Sequence, residues 1–205
     1  MKKFKLTSEF IVDISGVKLF RIKALIEFGN VKAGDLGGYI EKEENLSHMG
    51  DAWVSDDARI SGNAQVFGNA QVFGDAWVFG NARVSGNAWV FGNARVFGNA
   101  WVSGNARVFG DAQVFGDAWV FGNARVSGNA RVSGDKDYAY AHGFGSCNRT
   151  TTFFRLKDGD VGVRCGCFYG TLAQFRDKVC ETHGETKKAQ EYLMLADLME
   201  IRFKN

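Results

Sequence analysis

From Asp51 to Gly134 the chain repeats one six-residue phrase fourteen times without a gap, 14 × 6 = 84 residues. The run GNARVFGNAWVSGNARVFG, residues 92–110, shows the pattern: Asn or Asp, Ala, a variable residue, Val, Phe or Ser, then Gly. The second position is Ala in every unit, from Ala52 to Ala130, and the fourth is Val in all but one, where Ile60 stands. A helix is a poor reading, because a Gly at every sixth residue costs about 1 kcal/mol each time. Six is also no multiple of 3.6, so an apolar stripe never accumulates. Six is a multiple of two, so strand alternation carries over from unit to unit. Ala and Val then share one side and the variable residue between them faces the other. Gly followed by Asn or Asp supplies corners, since these residues accept positive φ at low cost. Short strands joined by corners in long succession make a solenoid.

The Val-x-x-x-Ala-x spacing, beginning at Val54 and Ala58, resembles the hexapeptide repeat of left-handed parallel β-helix proteins. In that family three hexapeptides close one triangular coil, 3 × 6 = 18 residues, so 84/18 implies between four and five coils here. The right-handed preference of parallel crossovers argues for the other hand. The six-residue period and small Ala/Val interior favour the left-handed form. A right-handed helix like that of bacterial polymer-forming cytoskeletal proteins is the alternative. The expected fold is therefore mainly β: a hexapeptide solenoid over 51–134, an N-terminal β cap over 1–50, and a small α+β segment over 135–205.

The flanks have a different texture. FIVDISGVKLFRIKALIEF alternates around Ser15-Gly16 and reads as a β-hairpin. GGYIEK, residues 37–42, scans as a degenerate hexapeptide with Gly38 and Ile40 inward, and NLSHMG, residues 45–50, as another that turns His48 inward. Such a segment would hide the open edge of the first coil, as solenoids require. Beyond Gly134, TTTFFRLKDGDVGVRCGCFYG reads as a hairpin turning at Asp158-Gly159. Thr171 and Gln174 form a capping box for a helix with Leu172, Phe175 and Val179 inward and Gly184 at its end. A last helix spans about 185–203, with Tyr192, Leu195, Ala196 and Met199 on one stripe. The hexapeptide helix followed by GSxNxxTxFxR and CGCFxG resembles proteins of bacteriophages and prophages, and that resemblance brings no established activity with it.

Charge excludes some partners. The net charge is +2, from 25 basic and 23 acidic residues, and the repeat itself balances six Arg with six Asp. That balance does not point to nucleic acid. No apolar run is long enough for a bilayer, and MKKFKLTSEF lacks the apolar core of a signal peptide, so a host bacterial cytoplasm with reduced thiols is expected. The chain has no Pro, which suits unbroken ladders.

A coil of three units stacks every third variable residue. One face carries Trp53, Gln71, Trp89, Arg107 and Arg125; the second Arg59, Trp77, Arg95, Gln113 and Arg131; the third Gln65, Arg83, Trp101 and Trp119. The position after Val adds ladders Phe73-Phe91-Phe109 and Phe79-Phe97-Phe115. All five Trp and eight of eighteen Phe lie in these outward positions. Stacking alone would stabilise neighbouring strands by roughly 0.2–1 kcal/mol per pair. So much contiguous aromatic surface also fits a protein interface. We expect Phe73, Phe79, Phe91, Phe97, Phe109, Phe115 and Trp89 at a homo-oligomer contact. The resemblance implies a trimer, with a dimer as the alternative.

Catalytic signals are sparse. Hexapeptide-helix acyltransferases use a histidine base near a subunit interface, and His48, His142 and His183 all lie outside the regular repeat. Cys165, Cys167, Cys180 and His183 share spacings that a zinc site could use, but CxC is not the usual CxxC knuckle, and packing explains them as well. We expect no metal and no cofactor. In HGFGSCNRTTTFFR, glycines, hydroxyls and two arginines could cradle a phosphate or carboxylate, although no P-loop or dinucleotide fingerprint is present. The candidate ligand residues are His142, Ser146, Asn148, Arg149 and Arg155, with a polar linker as the plainer reading. The expected function is a phage-encoded oligomeric binding protein, not an enzyme, that grips a host defence protein or sequesters a small anionic, nucleotide-like signal. An acyltransferase, a nucleotide-cleaving enzyme or a purely structural β-helix are the alternatives.

Overall fold

A computed structural model describes residues 2–146 and 148–204; Cys147, inside the candidate linker, lies outside the described residues. The chain is mainly β and folds as a β-solenoid of about five turns. Strand β1 (Phe4–Val12) pairs antiparallel with β2 (Lys18–Ala24), which pairs antiparallel with β3 (Leu36–Ile40). Fourteen two-residue strands follow among the described residues, β4 (Trp53–Val54) to β17 (Arg131–Val132), one on the third and fourth positions of each hexapeptide. They form three parallel sheets in which each strand pairs with the one three units on, as Trp89 does with Gln71 and Arg107. The eighteen-residue spacing read from the repeat is thus the coil.

The interior is narrow and apolar. Every Ala at position two and every Val or Ile at position four is fully buried. Each such Val contributes about 1.5–3 kcal/mol by burial. The sixth position holds φ between 63° and 73° at its glycines from Gly62 to Gly128, and Asp56, the one non-glycine there, adopts 56°. A Cβ at Gly68 would sit 3.1 Å from the Gly86 nitrogen of the next coil, so the corners need glycine for approach as well as for φ.

At the N-terminal end β3 extends one prism face, Ile40 pairing with Ile60, so GGYIEK does act as a degenerate hexapeptide. NLSHMG differs from expectation. Leu46 bridges Val66 and takes the inward position, and the chain between Leu46 and Gly50 bulges by two residues relative to the coil below. His48 therefore leaves the interior. Its Nδ1 accepts from the Lys3 N–H at 3.1 Å, its Nε2 meets Glu43 at 2.6 Å, and its ring stacks on Phe4.

At the other end, β18 (Tyr138–Phe144), β19 (Arg149–Arg155), β20 (Val161–Cys165) and β21 (Phe168–Thr171) form an antiparallel sheet in chain order. Alternation divides its two faces. Tyr138, Phe154 and Leu156 close the solenoid core, while Phe153 and Val163 point to the helices. Helices α1 (Leu172–His183) and α2 (Lys187–Phe203) cover that second face through Phe175, Val179, Tyr192, Ala196 and Met199. The Thr171/Gln174 capping box and the Gly184 C-cap form as the residue types dictate. Neither described helix is long and apolar enough to cross a membrane.

Candidate functional site

The outward residues organise into stacks. Phe73–Phe91–Phe109 and Phe79–Phe97–Phe115 lie ring over ring, with centroids 4.8–5.1 Å apart and planes within 7°. These rings half-bury one another. Each stack ends under a guanidinium, Arg164 over Phe109 and Arg131 over Phe115. The Trp residues are less uniform than the repeat implied. Trp53 is only 4% exposed, because Phe28 packs against it edge-on. Trp77, Trp101 and Trp119 each donate their indole N–H to the serine sixteen residues earlier, Ser61, Ser85 and Ser103. Trp89, Trp119 and Phe121 remain exposed.

The corner asparagines form ladders of their own. Asn63, Asn81 and Asn99 each donate the side-chain amide to the next rung, and the series closes on the carboxylate of Asp117. At another corner Asn93 donates to Asp111. The remaining ladder runs Asn69, Asn87, Asn105, Asn123 and closes on no carboxylate: the Asn123 amide nitrogen has no partner among the described residues.

That free amide opens into a cleft of about 570 Å³ where the last coils meet the underside of the terminal sheet. Asn105, Arg107, Asn123 and Arg125 line it from the solenoid, and His142, Arg149, Thr150 and Gly166 from the sheet. Arg107 and Arg125 are register partners on β13 (Arg107–Val108) and β16 (Arg125–Val126). The Arg125 N–H is tied to Thr152 at 2.9 Å, which docks β19 onto that strand. His142 Nδ1 and Thr150 Oγ1 are 3.0 Å apart. Gly166, at φ 59°, leaves room for the Arg149 guanidinium, which a Cβ there would strike.

The cleft is electrically unbalanced. Among the described residues no carboxylate lies within ion-pair distance of Arg107, Arg125, Arg149 or Arg164, and none of these guanidinium groups donates a hydrogen bond to protein. Burial pulls the Arg125 guanidinium below its ordinary pKa, and the charges of Arg107, Arg164 and Arg149 add to that. Two buried polar atoms, Ser127 Oγ and Arg164 Nε, have no hydrogen-bond partner among the described residues. Serine rather than phenylalanine at 127 ends the Phe109 stack early and leaves the ring face to Arg164.

Of the residues singled out in sequence, His142 and Arg149 line this cleft. Ser146 lies in an adjoining cavity of about 210 Å³, shared with Arg149, Cys165, Cys167, His183 and Tyr192. Ser146 N–H donates there to the Tyr192 hydroxyl at 3.0 Å, and burial raises the Tyr192 pKa. Asn148 is exposed at the β18–β19 turn with φ 45°. Arg155 stands at the opposite end of β19 and donates to the carbonyls of Gly159 and Phe203, away from the cleft. Cys165 accepts from Thr151, Cys167 and Cys180 are exposed, and no three of His, Cys, Asp and Glu converge among the described residues. Arg107, Arg125, Arg164, Asn105 and Asn123 were not anticipated. Their one sequence signal was the ladder Trp89, Arg107, Arg125, whose last two rungs repeat a positive charge.

Fold and site together define a class: a β-solenoid closed by a sheet-and-helix cap, with an arginine-lined cleft at the junction. Residues 76–92, 88–104, 100–115 and 124–135 match the family model described as YdcK Beta solenoid repeat, so the repeat of this chain is similar to that family's. No curated protein matches the chain.

Proposed function

We propose that this protein binds an anionic ligand in the cleft between the last coils and the terminal sheet, and does so without catalysing its conversion. One observation carries the reading: three arginines surround Arg125, and among the described residues no carboxylate balances the four. Unpaired buried or half-buried cations are costly, and an anion that accepts their hydrogen bonds removes that cost. Binding is favoured over turnover because His142, the one titratable base in the lining, pairs with the Thr150 hydroxyl alone, and among the described residues no third group orients the pair as a catalytic triad requires. A phage product that holds a small anionic signal of its host would use such a cleft. The test is thermal stabilisation of the full chain by a panel of sulfate, phosphates and carboxylates. Arg149→Ala should abolish the shift without altering the unliganded melting temperature by more than a few degrees. A hit whose affinity survives that substitution would sink the proposal.

Self-association rests on a separate observation, the exposed Trp89, Trp119 and Phe121 on two prism faces. A trimer through these faces should appear by light scattering at three times 22.6 kDa. A monomer at micromolar concentration would refute it. Replacing Phe91 and Phe97 with Ser separates the roles of the stacks: dissociation with unchanged strand content marks an interface, and unfolding marks structure alone.

A further inference from the structure

Resting on the anion-binding reading, we propose that the cleft is selective for a compact oligophosphate carrying three or more negative charges. The charge count comes first. Arg107, Arg125 and Arg149 face the cleft or its rim and Arg164 stands behind, giving four positive charges with no carboxylate in the lining. A lone orthophosphate, with at most two charges near neutral pH, would leave about half of them unbalanced.

Spacing comes second. Arg107 and Arg125 are paired across adjacent parallel strands, which places their stems about 4.8 Å apart and lets two donor forks grip neighbouring phosphoryl groups of one short chain. Arg149 approaches from the sheet opposite, held by the space that Gly166 leaves. The cleft therefore grips from two walls.

The third argument is the kind of hydrogen-bonding group present. Phosphoryl oxygens only accept, so they need donors. Asn123 is the downstream end of an amide ladder in which every earlier nitrogen is already used, and its own N–H₂ is left over. The series from Asn63 closes on the Asp117 carboxylate, and Asn93 donates to the carboxylate of Asp111. At this corner the last rung is an amide donor in place of a carboxylate, and here the arginines converge. The acceptors in the lining are largely committed: Asn105 and Asn123 Oδ1 to the ladder, and Thr150 to His142. A nucleobase or sugar would find few partners, so recognition falls on the phosphate chain.

The experiment is calorimetric titration of the full chain with sodium tripolyphosphate, a nucleoside triphosphate, orthophosphate and a tricarboxylate. Tripolyphosphate should bind at least about a hundredfold more tightly than orthophosphate, with an affinity that falls steeply as salt rises. The nucleoside triphosphate should match it within about threefold if the phosphates alone are read, and a much tighter nucleotide identifies that source instead. Arg125→Gln and Asn123→Asp should each weaken tripolyphosphate by about tenfold or more, with circular dichroism unchanged. Should either variant unfold, Arg107→Gln, on an outward strand position, supplies the same comparison. Equal affinity for orthophosphate, or for the tricarboxylate, overturns oligophosphate selectivity and leaves the anion cleft standing. No binding of any anion by folded protein overturns both.

Discussion

At the first coil the Lys3 ammonium donates to the carbonyls of Gly50 and Ala52, and the Asn45 amide to those of Gly62 and Ala64. At the last coils most of the closing groups accept instead, although Tyr138 donates its hydroxyl to the Trp119 carbonyl. Asp135 takes the Trp119 N–H, Thr152 the Arg125 N–H, and Asp137 the Ser133 N–H and hydroxyl. The difference follows from the ladder. Outside the two-residue strands, the backbone bonds between coils run from an N–H to a carbonyl in the following coil. One end is therefore left rich in acceptors and the other in donors. A buried end without partners would cost about 1–3 kcal/mol per group. The caps differ in their balance of donors and acceptors because the stack is polar.

The strongest way to break this comparison is to put an acceptor where a donor belongs. Asn45→Asp sets a buried carboxylate against two carbonyls and should cost about 3–5 kcal/mol in urea unfolding. The deficit should shrink as pH falls and the new carboxyl takes up a proton. Lys3→Met leaves the Gly50 and Ala52 carbonyls unmatched and should cost about 2–4 kcal/mol. It also removes a pH signature. Burial pushes the Lys3 ammonium down to about 8 from its usual 10.5, with Asp51 pulling the other way. Between those values the unfolded chain holds a proton that the native chain has released, so native stability should rise with pH across that window. The Lys3→Met melting temperature should lack that rise.

At the opposite end Thr152→Val keeps the shape and deletes one acceptor, with an expected loss of about 1–2 kcal/mol. An equal loss from Lys3→Met and Thr152→Val would show that the two caps carry equal weight, contrary to the pairing of two carbonyls against one N–H. The smallest effect belongs to the exposed ladders. Asn81→Asp removes one donor from the series that starts at Lys42 and ends at Asp117, and should cost about 0.5–1 kcal/mol by thermal melting. Asn99→Asp, one rung closer to Asp117, should cost more because it sets two carboxylates side by side.

The solenoid was legible because its information is redundant: fourteen Ala and fourteen Val or Ile all report one period. The pairing of Trp with Ser was equally present and went unread, since it links residues sixteen apart and only two of the six repeat positions. Asn45–Gly50 was placed in the wrong register because His48 falls at a Val position in sequence, while the bulge that removes it is a local event. The cleft was half legible. His142 and Arg149 stood out in irregular sequence, but Arg107 and Arg125 occupy the same variable position as Arg83 or Arg95. What distinguishes them is the sheet that lands above them, a long-range contact no spacing records. Arg155 was grouped with Arg149 by closeness along the chain, and six residues of strand carry it about 20 Å away.

Because each hexapeptide turns the chain by a third of a revolution, the number of units sets the direction in which everything downstream points. The cleft sits at a particular angle around the axis, relative to the N-terminal cap, only because of how many phrases precede it. Removing one unit upstream would swing the cleft to a different side of the rod. Removing three would return it to the same side, about 4.8 Å nearer the first coil. Length in this molecule is therefore also a compass bearing, and a lineage of such chains can lengthen freely only in whole turns if its cap and its cleft must face a common neighbour.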